Sequence, residues 1–221
     1  MRPLTDVTPK PLLKVAGKPL IEHHIAGLSA AGFSEIVVNV SHLGQQLVEF
    51  LGDGSQWQVA ISILSEQAPL ETAGGIIQAL PRLGDTPFLL VNADVFTDYP
   101  FAQLREMAPA ERGAHIVLVP NPGHQPLGDF ALQNDRVVHR PSTQPVAGDS
   151  MVATYSGIGV YAPGLFANCA SGRRPLKPLL DEAISRASLS GELYEGMWED
   201  VGTPQRLTAL NQKFPSGSAN Q

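Results

Sequence analysis

Apolar residues along this chain recur in two rhythms, one helical and one strand-like, and their alternation sets the expected elements. From Pro19 to Ala31, Leu20, Ile21, His24, Ile25 and Leu28 follow a helical stripe that stops at Gly32, a residue suited to the C′ position. Glu35 to Val40 is a short β-branched strand, and Leu43 to Leu51 is a helix halted by Gly52-Asp53-Gly54. Val59 to Leu64 alternates as a strand. Leu70-Glu71-Thr72-Ala73-Gly74-Gly75 then leads into a helix through Ile76, Ile77 and Leu80. Phe88 to Asn92 is an almost unbroken apolar run, the pattern of a strand buried on both faces of a parallel sheet. Strand, helix, strand, helix, strand predicts a doubly wound α/β sheet.

The rhythm then changes. Ala114 to Val119, Phe130 to Gln133, Arg136 to His139 and Val152 to Tyr161 are strands with few helices between them, which predicts an antiparallel addition at the sheet edge. Leu176 to Ala187 returns to helical spacing, and Leu193 to Glu199 reads as a strand ending at Asp200. Thr203 to Lys213 is a last helix, with Thr203 as N-cap and Pro204 at N1. Residues 1–18 hold three prolines and read as an extended loop. The whole is expected to be one domain over 1–213 with a frayed tail at 214–221.

Composition narrows the function classes. A chain of 221 residues can bury one good core, and 43% hydrophobic content with mean hydropathy −0.01 is that of a soluble globular protein. No apolar run approaches the ~20 residues of a membrane span and no signal peptide opens the sequence, so a cytoplasmic protein without a membrane partner is expected. The single cysteine, Cys169, precludes an internal disulfide. A net charge of −6 and a pI near 5.5 argue against nucleic acid as a partner. Yet Arg2, Lys10, Lys14 and Lys18 crowd the first residues with only Asp6 among them, a local place for a polyanion.

Candidate chemistry gathers where apolar runs end on acids. The run F-L-L-V-N-A-D closes on Asp94, and ligands of open α/β sheets bind beyond the carboxyl ends of strands. A lone acid there suits either a turn cap or a ligand. A second run, W-E-D-V-G-T-P, closes on Asp200, and two such carboxylates could share a hard divalent cation such as Mg²⁺. His23, His24, His42 and His139 show no metal-ligand spacing and read as helix or strand residues.

In order along the chain stand M-R-P-L-T-D-V-T-P-K-P-L-L, L-E-T-A-G-G-I, V-N-A-D-V-F-T-D-Y and W-E-D-V-G-T. Over nearly its whole length the chain thereby resembles the sugar-1-phosphate nucleotidyltransferases. Within them it is similar to the short bacterial N-acetylmuramate-1-phosphate uridylyltransferases, which have L-E-T-G-G-G-I. The resemblance implies a Rossmann-like doubly wound mixed sheet of the nucleotide-diphospho-sugar transferase type, with a small antiparallel lobe on the sugar side. It implies a nucleoside triphosphate and a sugar 1-phosphate as partners, here UTP and N-acetylmuramate 1-phosphate. Lys10, Asp94 and Asp200 take the catalytic positions, with Asp94 and Asp200 on Mg²⁺. Arg2, Lys10, Glu71, Thr72 and Gly74 fall on the nucleotide side. Gly128, Asp129, Arg140 and Gly157 fall on the sugar-phosphate side; for Gly157 a plain strand bulge is the equal alternative.

Rival readings are guanylyltransferase or thymidylyltransferase specificity, a sugar-nucleotide-binding protein of the same fold without turnover, and a glycosyltransferase with N-A-D-V as its metal motif. Relatives carry a buried strand and a glycine-rich loop, L-A-A-G-x-G-x-R, directly ahead of M-R-P-L-T, and the sequence given opens at that methionine. Arg2 is out of register with the loop's arginine. The expectation is therefore a chain with little activity as written, in which another segment or a neighbouring chain fills the gap in the sheet.

Overall fold

The computed structural model describes residues 1–141 and 150–215; residues 216–221 of the expected tail lie outside the described residues. In chain order its elements are β1 (Lys14–Val15), β2 (Lys18–Pro19), α1 (Leu20–Ala30), β3 (Glu35–Val40), α2 (Gly44–Leu51), β4 (Ala60–Ser65), α3 (Glu71–Leu83), β5 (Phe88–Val91) and β6 (Val95–Thr97). There follow β7 (Ala114–Val119), β8 (Phe130–Gln133), β9 (Arg136–His139), β10 (Met151–Tyr161), α4 (Lys177–Ser185), β11 (Leu189–Leu193), β12 (Trp198–Asp200) and α5 (Pro204–Lys213). They group into two compact units, one of Met1–Pro69, Asn92–Arg105 and Met197–Gln221, the other of Leu70–Val91 and Glu106–Gly196. Among the described residues no helix is long and apolar enough to cross a membrane.

The first unit is built on two small strand pairs. β3 and β4 run parallel, Glu35 opposite Ala60 through Val40 opposite Ser65, and pack with Ile21 and Ile25 of α1 and Leu47 and Leu51 of α2. β6 and β12 run antiparallel, with Val95 opposite Asp200 and Thr97 opposite Trp198. A second apolar cluster of Val15, Leu20, Val201 and Leu210 joins the proline-rich segment to α1 and α5, and Phe214, placed with the tail by sequence, packs 5.4 Å from Phe96. Residues 1–18 are not extended throughout: they close into 3₁₀ turns at Leu4–Asp6 and Lys10–Leu12. Helix α1 ends as its sequence predicts, with Gly32 at φ +85°.

The second unit is a six-stranded mixed sheet in the order β5-β10-β7-β11-β9-β8. The antiparallel strands read from sequence are part of this sheet, with the β8–β9 hairpin at its margin and β8 bonded also to β10. β7 lies between β10 and β11 and every one of its residues is buried, which its run A-H-I-V-L-V anticipates. β5 departs from expectation. Only Phe88 is fully buried and Leu89, Leu90 and Val91 are half-buried, because β5 stands at the sheet edge and is bonded to β10 alone among the described residues. The strand expected over Leu193 to Glu199 is also broken: β11 ends at Leu193 and β12 begins at Trp198. Between them the Tyr194 ring folds against Gly196, where any Cβ would strike the phenol.

His24 carries a measurable consequence of this packing. It lies on α1 at 6% exposure, hydrogen-bonded to the Val95 backbone, and its Nε2 has no partner among the described residues. Burial lowers its pKa from 6.5 to about 4, against a smaller upward pull from Val95, with His23 lowering and Asp94 raising it slightly. In that window the unfolded chain binds a proton that the folded chain refuses. Stability is therefore full above about pH 6.5 and falls as pH drops toward 4, by about 3 kcal/mol at the limit. In urea unfolding at about pH 7.5 and pH 4.5, wild type should lose about 2–3 kcal/mol more than His24→Gln. Equal losses would show that His24 is not the group responsible.

Candidate active site

The two acid-ended runs meet. The Val201 amide donates to the Asp94 carbonyl at 2.8 Å, which fixes the end of β12 against the turn that precedes β6. Lys10 approaches the same place: its Nζ donates to Asp94 Oδ2 at 2.6 Å, with side chains 28% and 41% exposed. The sequence explains why Lys10 is held there. Pro9 and Pro11 restrict the backbone on either side, the Leu13 amide closes the turn on the Lys10 carbonyl at 3.1 Å, and the Leu13 side chain is buried. Leu20 of α1 donates to the Leu13 carbonyl at 3.0 Å and His23 Nε2 donates to the Val15 carbonyl at 2.9 Å, so α1 anchors the segment just after the lysine. His24 on the same helix bonds the Val95 backbone, next to Asp94.

Each residue after Asp200 has a definable role. Val201 is fully buried in the core, Gly202 carries no side chain, and Thr203 Oγ1 accepts the Arg206 amide at 3.2 Å as the N-cap of α5. The Arg206 guanidinium turns back and donates from Nη1 to Asp200 Oδ1. Both carboxylates are thus held by a cation. Arg2, expected among the nucleotide contacts, instead pairs with Asp6 at 3.2 Å on a side chain 89% exposed. Lys18 stands 3.9 Å from Glu22, so much of the positive surplus read from the first residues is met by local acids.

In the second unit, Glu71 opens α3 with φ +59°, a left-handed conformation costing a non-glycine residue about 1 kcal/mol. Arg173 holds its carboxylate, Nε to Oε1 at 2.8 Å and Nη2 to Oε1 at 2.6 Å. Thr72 follows Glu71 in the same first turn. At Gly74 the backbone of the 172–174 segment comes close: the Gly74 amide donates to the Arg174 carbonyl at 3.1 Å, and the Arg174 amide donates to the Leu70 carbonyl at 2.8 Å. A Cβ at Gly74 would overlap the Gly172 carbonyl oxygen and lie 3.2 Å from the Arg174 nitrogen. The glycine expected to admit a ligand's approach is thus already needed for chain against chain.

Gly128, Asp129 and Arg140 are brought together. Gly128 has φ +62°, and a Cβ there would stand 2.5 Å from Asn121 Oδ1. The Asp129 carboxylate accepts from the Tyr155 amide at 2.9 Å and from Gln125 Nε2 at 2.7 Å, while Arg140 Nη1 donates to the Leu127 carbonyl at 3.4 Å. Gly157, with φ +81°, lies within a register shift between Tyr155 and Gly159 of β10, so the bulge reading describes its backbone. Ser156 secures that bulge, giving its hydroxyl hydrogen to the Val117 carbonyl at 2.7 Å and accepting the Ile158 amide at 3.1 Å.

Two residues in these constellations escaped the sequence reading, Arg206 and Arg173, and His24 was read only as a helix residue. Arg206 had a usable signal, a cation in the first turn of a helix, where the dipole favours acids. The Arg173-Arg174 pair after Gly172 was a second, weaker one.

Comparisons with known proteins bear on the family and the fold. The Nucleotidyl transferase family model matches residues 1–217. The chain is 48% identical over 212 residues to the N-acetylmuramate alpha-1-phosphate uridylyltransferase of Neisseria meningitidis serogroup B, covering 94% of this chain and 90% of that protein. It is 31% identical over 232 residues to the mannose-1-phosphate guanyltransferase of Yarrowia lipolytica, spanning 97% of this chain but 63% of that longer protein. In fold it matches a putative glucose-1-phosphate thymidylyltransferase from Bacillus anthracis at TM-score 0.83 and 20% identity, covering 100% of this chain and 92% of that one. HddC from Yersinia pseudotuberculosis matches at TM-score 0.74 and 16% identity, covering 94% of this chain and 90% of that one.

The close approach at Gly74 should be felt as stability. Gly74→Ala gains about 1 kcal/mol of helix propensity but forces a methyl group into backbone, which costs about 1–3 kcal/mol or more. A lower melting temperature is expected. Arg173→Ala removes an ion pair whose arginine is 73% exposed, so its effect should stay below about 1 kcal/mol. A Gly74→Ala protein that melts with or above wild type would show that the 172–174 segment is free to move away.

Proposed function

The chain belongs to the nucleotidyl transferase family, and we propose that it transfers the UMP moiety of UTP to N-acetylmuramate 1-phosphate, releasing pyrophosphate. The observation that carries this reading is the convergence of Lys10, Asp94 and Asp200 at one end of the β6–β12 pair, in a chain 48% identical to a uridylyltransferase of that substrate.

In such a transfer an oxygen of the sugar phosphate forms a bond to the α-phosphorus of UTP. The bond from that phosphorus to the bridging oxygen breaks, and its electron pair leaves with pyrophosphate. The attacking oxygen is already ionised at neutral pH, so the protein's work is to position the anions and offset their charge. Lys10 is suited to offsetting charge, because its side chain is only 28% exposed and its ammonium stands beside the Asp94 carboxylate rather than in open solvent.

Asp94 and Asp200 supply hard oxygen donors from adjacent backbone, the chemistry a divalent cation such as Mg²⁺ prefers. Among the described residues no cluster of three or more His, Cys, Asp or Glu could hold a metal, so phosphate oxygens and water would complete the shell, as Mg²⁺ commonly requires. When bound, that cation would offset charge on the α-phosphoryl group. Within the second unit Glu71 is kept in place by Arg173, and Arg140 lies near Gly128 and Asp129; the resemblance assigns the former to the nucleotide and the latter to the sugar phosphate, which a planar guanidinium fork suits.

Pyrophosphate release by the purified protein should be fastest with UTP and N-acetylmuramate 1-phosphate. Preference for GTP with mannose 1-phosphate, or dTTP with glucose 1-phosphate, would overturn the substrate and leave the reaction class standing. Asp94→Asn should lower kcat by roughly 10²–10³ while the melting temperature stays near that of wild type. A variant that loses fold and rate together would point to a structural role for Asp94, through its bond to Lys10.

A further inference from the structure

Arg206 breaks a local rule. It occupies the third position of α5, where a capping helix ordinarily places Glu or Gln and where the helix dipole disfavours a cation. No acid in that turn compensates, and the guanidinium pairs with the carboxylate of Asp200, which it reaches by folding back over the turn. The pair is only about a quarter exposed, with Arg206 at 24% and Asp200 at 28%.

Gly202 is what lets the arm pass. A Cβ at that position would collide with Arg206 Nη2 and stand 3.0 Å from Asp200 Oδ2. Gly202 is not among the glycines with positive φ, so its bareness answers to clearance for the guanidinium rather than to backbone strain. Thr203 caps the helix through the amide of the same arginine, and Leu210 pins the helix into the core with Val201. The V-G-T-P-Q-R sequence therefore builds a fixed counter-ion for Asp200.

We propose that Arg206 sets how strongly the Asp94–Asp200 pair binds a divalent cation, by holding a permanent positive charge on one of its two carboxylates. This rests on the reading of Asp94 and Asp200 as the metal-binding pair. A guanidinium bound to a ligand carboxylate lowers the negative charge presented to the metal and repels it. The effect is to hold affinity for the bare ion down, so that the cation is retained chiefly when phosphate oxygens arrive with it. Arginine fits this role because it stays charged at any accessible pH and its planar fork fixes it to a carboxylate.

The test is Mn²⁺ binding by the nucleotide-free full chain, followed by loss of the free-ion paramagnetic signal, for wild type and four variants. Arg206→Gln should bind Mn²⁺ about five- to tenfold tighter. Gly202→Ala, which displaces the guanidinium without removing it, should move in the same direction. Arg206→Lys should stay close to wild type, since it keeps the charge. Asp200→Asn should weaken binding severalfold or abolish it. Arg206→Gln and Gly202→Ala with unchanged or weaker binding, while Asp200→Asn is impaired, would overturn the role given to Arg206 and leave the metal site intact. Asp200→Asn binding as wild type would overturn the metal site itself. Melting curves of each variant distinguish these results from loss of fold.

Discussion

Two carboxylates carried at one end of the β6–β12 pair are each met by a positive charge, and much of the first unit supports those two ion pairs. Asp94 and Asp200 are linked through backbone, by the 2.8 Å bond from Val201 to the Asp94 carbonyl; the Asp200 side chain is 28% exposed and that of Asp94 41%. Like charges at such a place raise one another's energy unless cations intervene. Lys10 and Arg206 are those cations, and they come from opposite ends of the chain. The proline-bounded turn, α1 and the capped start of α5 can each be understood as the support of one of these four groups.

The second unit solves a different problem, chiefly with close backbone contacts and hydrogen bonds. Gly74 lets two backbones touch, Gly128 turns with positive φ, and Asp129 commits its carboxylate to the Tyr155 amide and Gln125. The bulge at Gly157 is locked by Ser156. Below the bulge the Tyr155 and Tyr161 hydroxyls share a 2.7 Å bond, and burial pushes both phenols well above the usual tyrosine range, so they stay protonated. Residues matched to sugar binding thus also carry the geometry of the sheet margin. Replacing one of them tests folding together with binding, whereas replacing Asp94 separates the two.

Elements whose cause is local were legible in the sequence. Thr203-Pro204 announces a helix start, Gly32 a helix end, and A-H-I-V-L-V a central strand, because each depends on a few neighbouring residues. Asp200 was legible as a strand-end acid and closes β12, whereas Asp94, read at the end of the Phe88 run, stands in the turn between β5, which stops at Val91, and β6. What failed depended on partners far away in sequence. Phe88 to Val91 has the composition of a doubly buried strand, but its exposure is decided by pairing with β10, some seventy residues later. Leu193 to Glu199 looks continuous until Tyr194 is seen to occupy the space at Gly196. Arg173 reached Glu71 across a separation of 102 residues, which no periodicity records.

The choice of lysine at one carboxylate and arginine at the other follows from what each must do on the proposed reading. Lys10 is a point charge on a flexible stem with three donors, so it can keep one on Asp94 and offer the others to a phosphate. Its turn is held through the backbone, by Leu13 and the prolines, while the side chain reaches Asp94 through Nζ. Arg206 is the opposite case. Its backbone amide is bound by the Thr203 cap of α5, its guanidinium threads the space over Gly202, and movement would take that positive charge away from Asp200 in a partly buried site. Exchanging the two residue types would therefore preserve net charge and still put a fixed cation where a mobile one is needed.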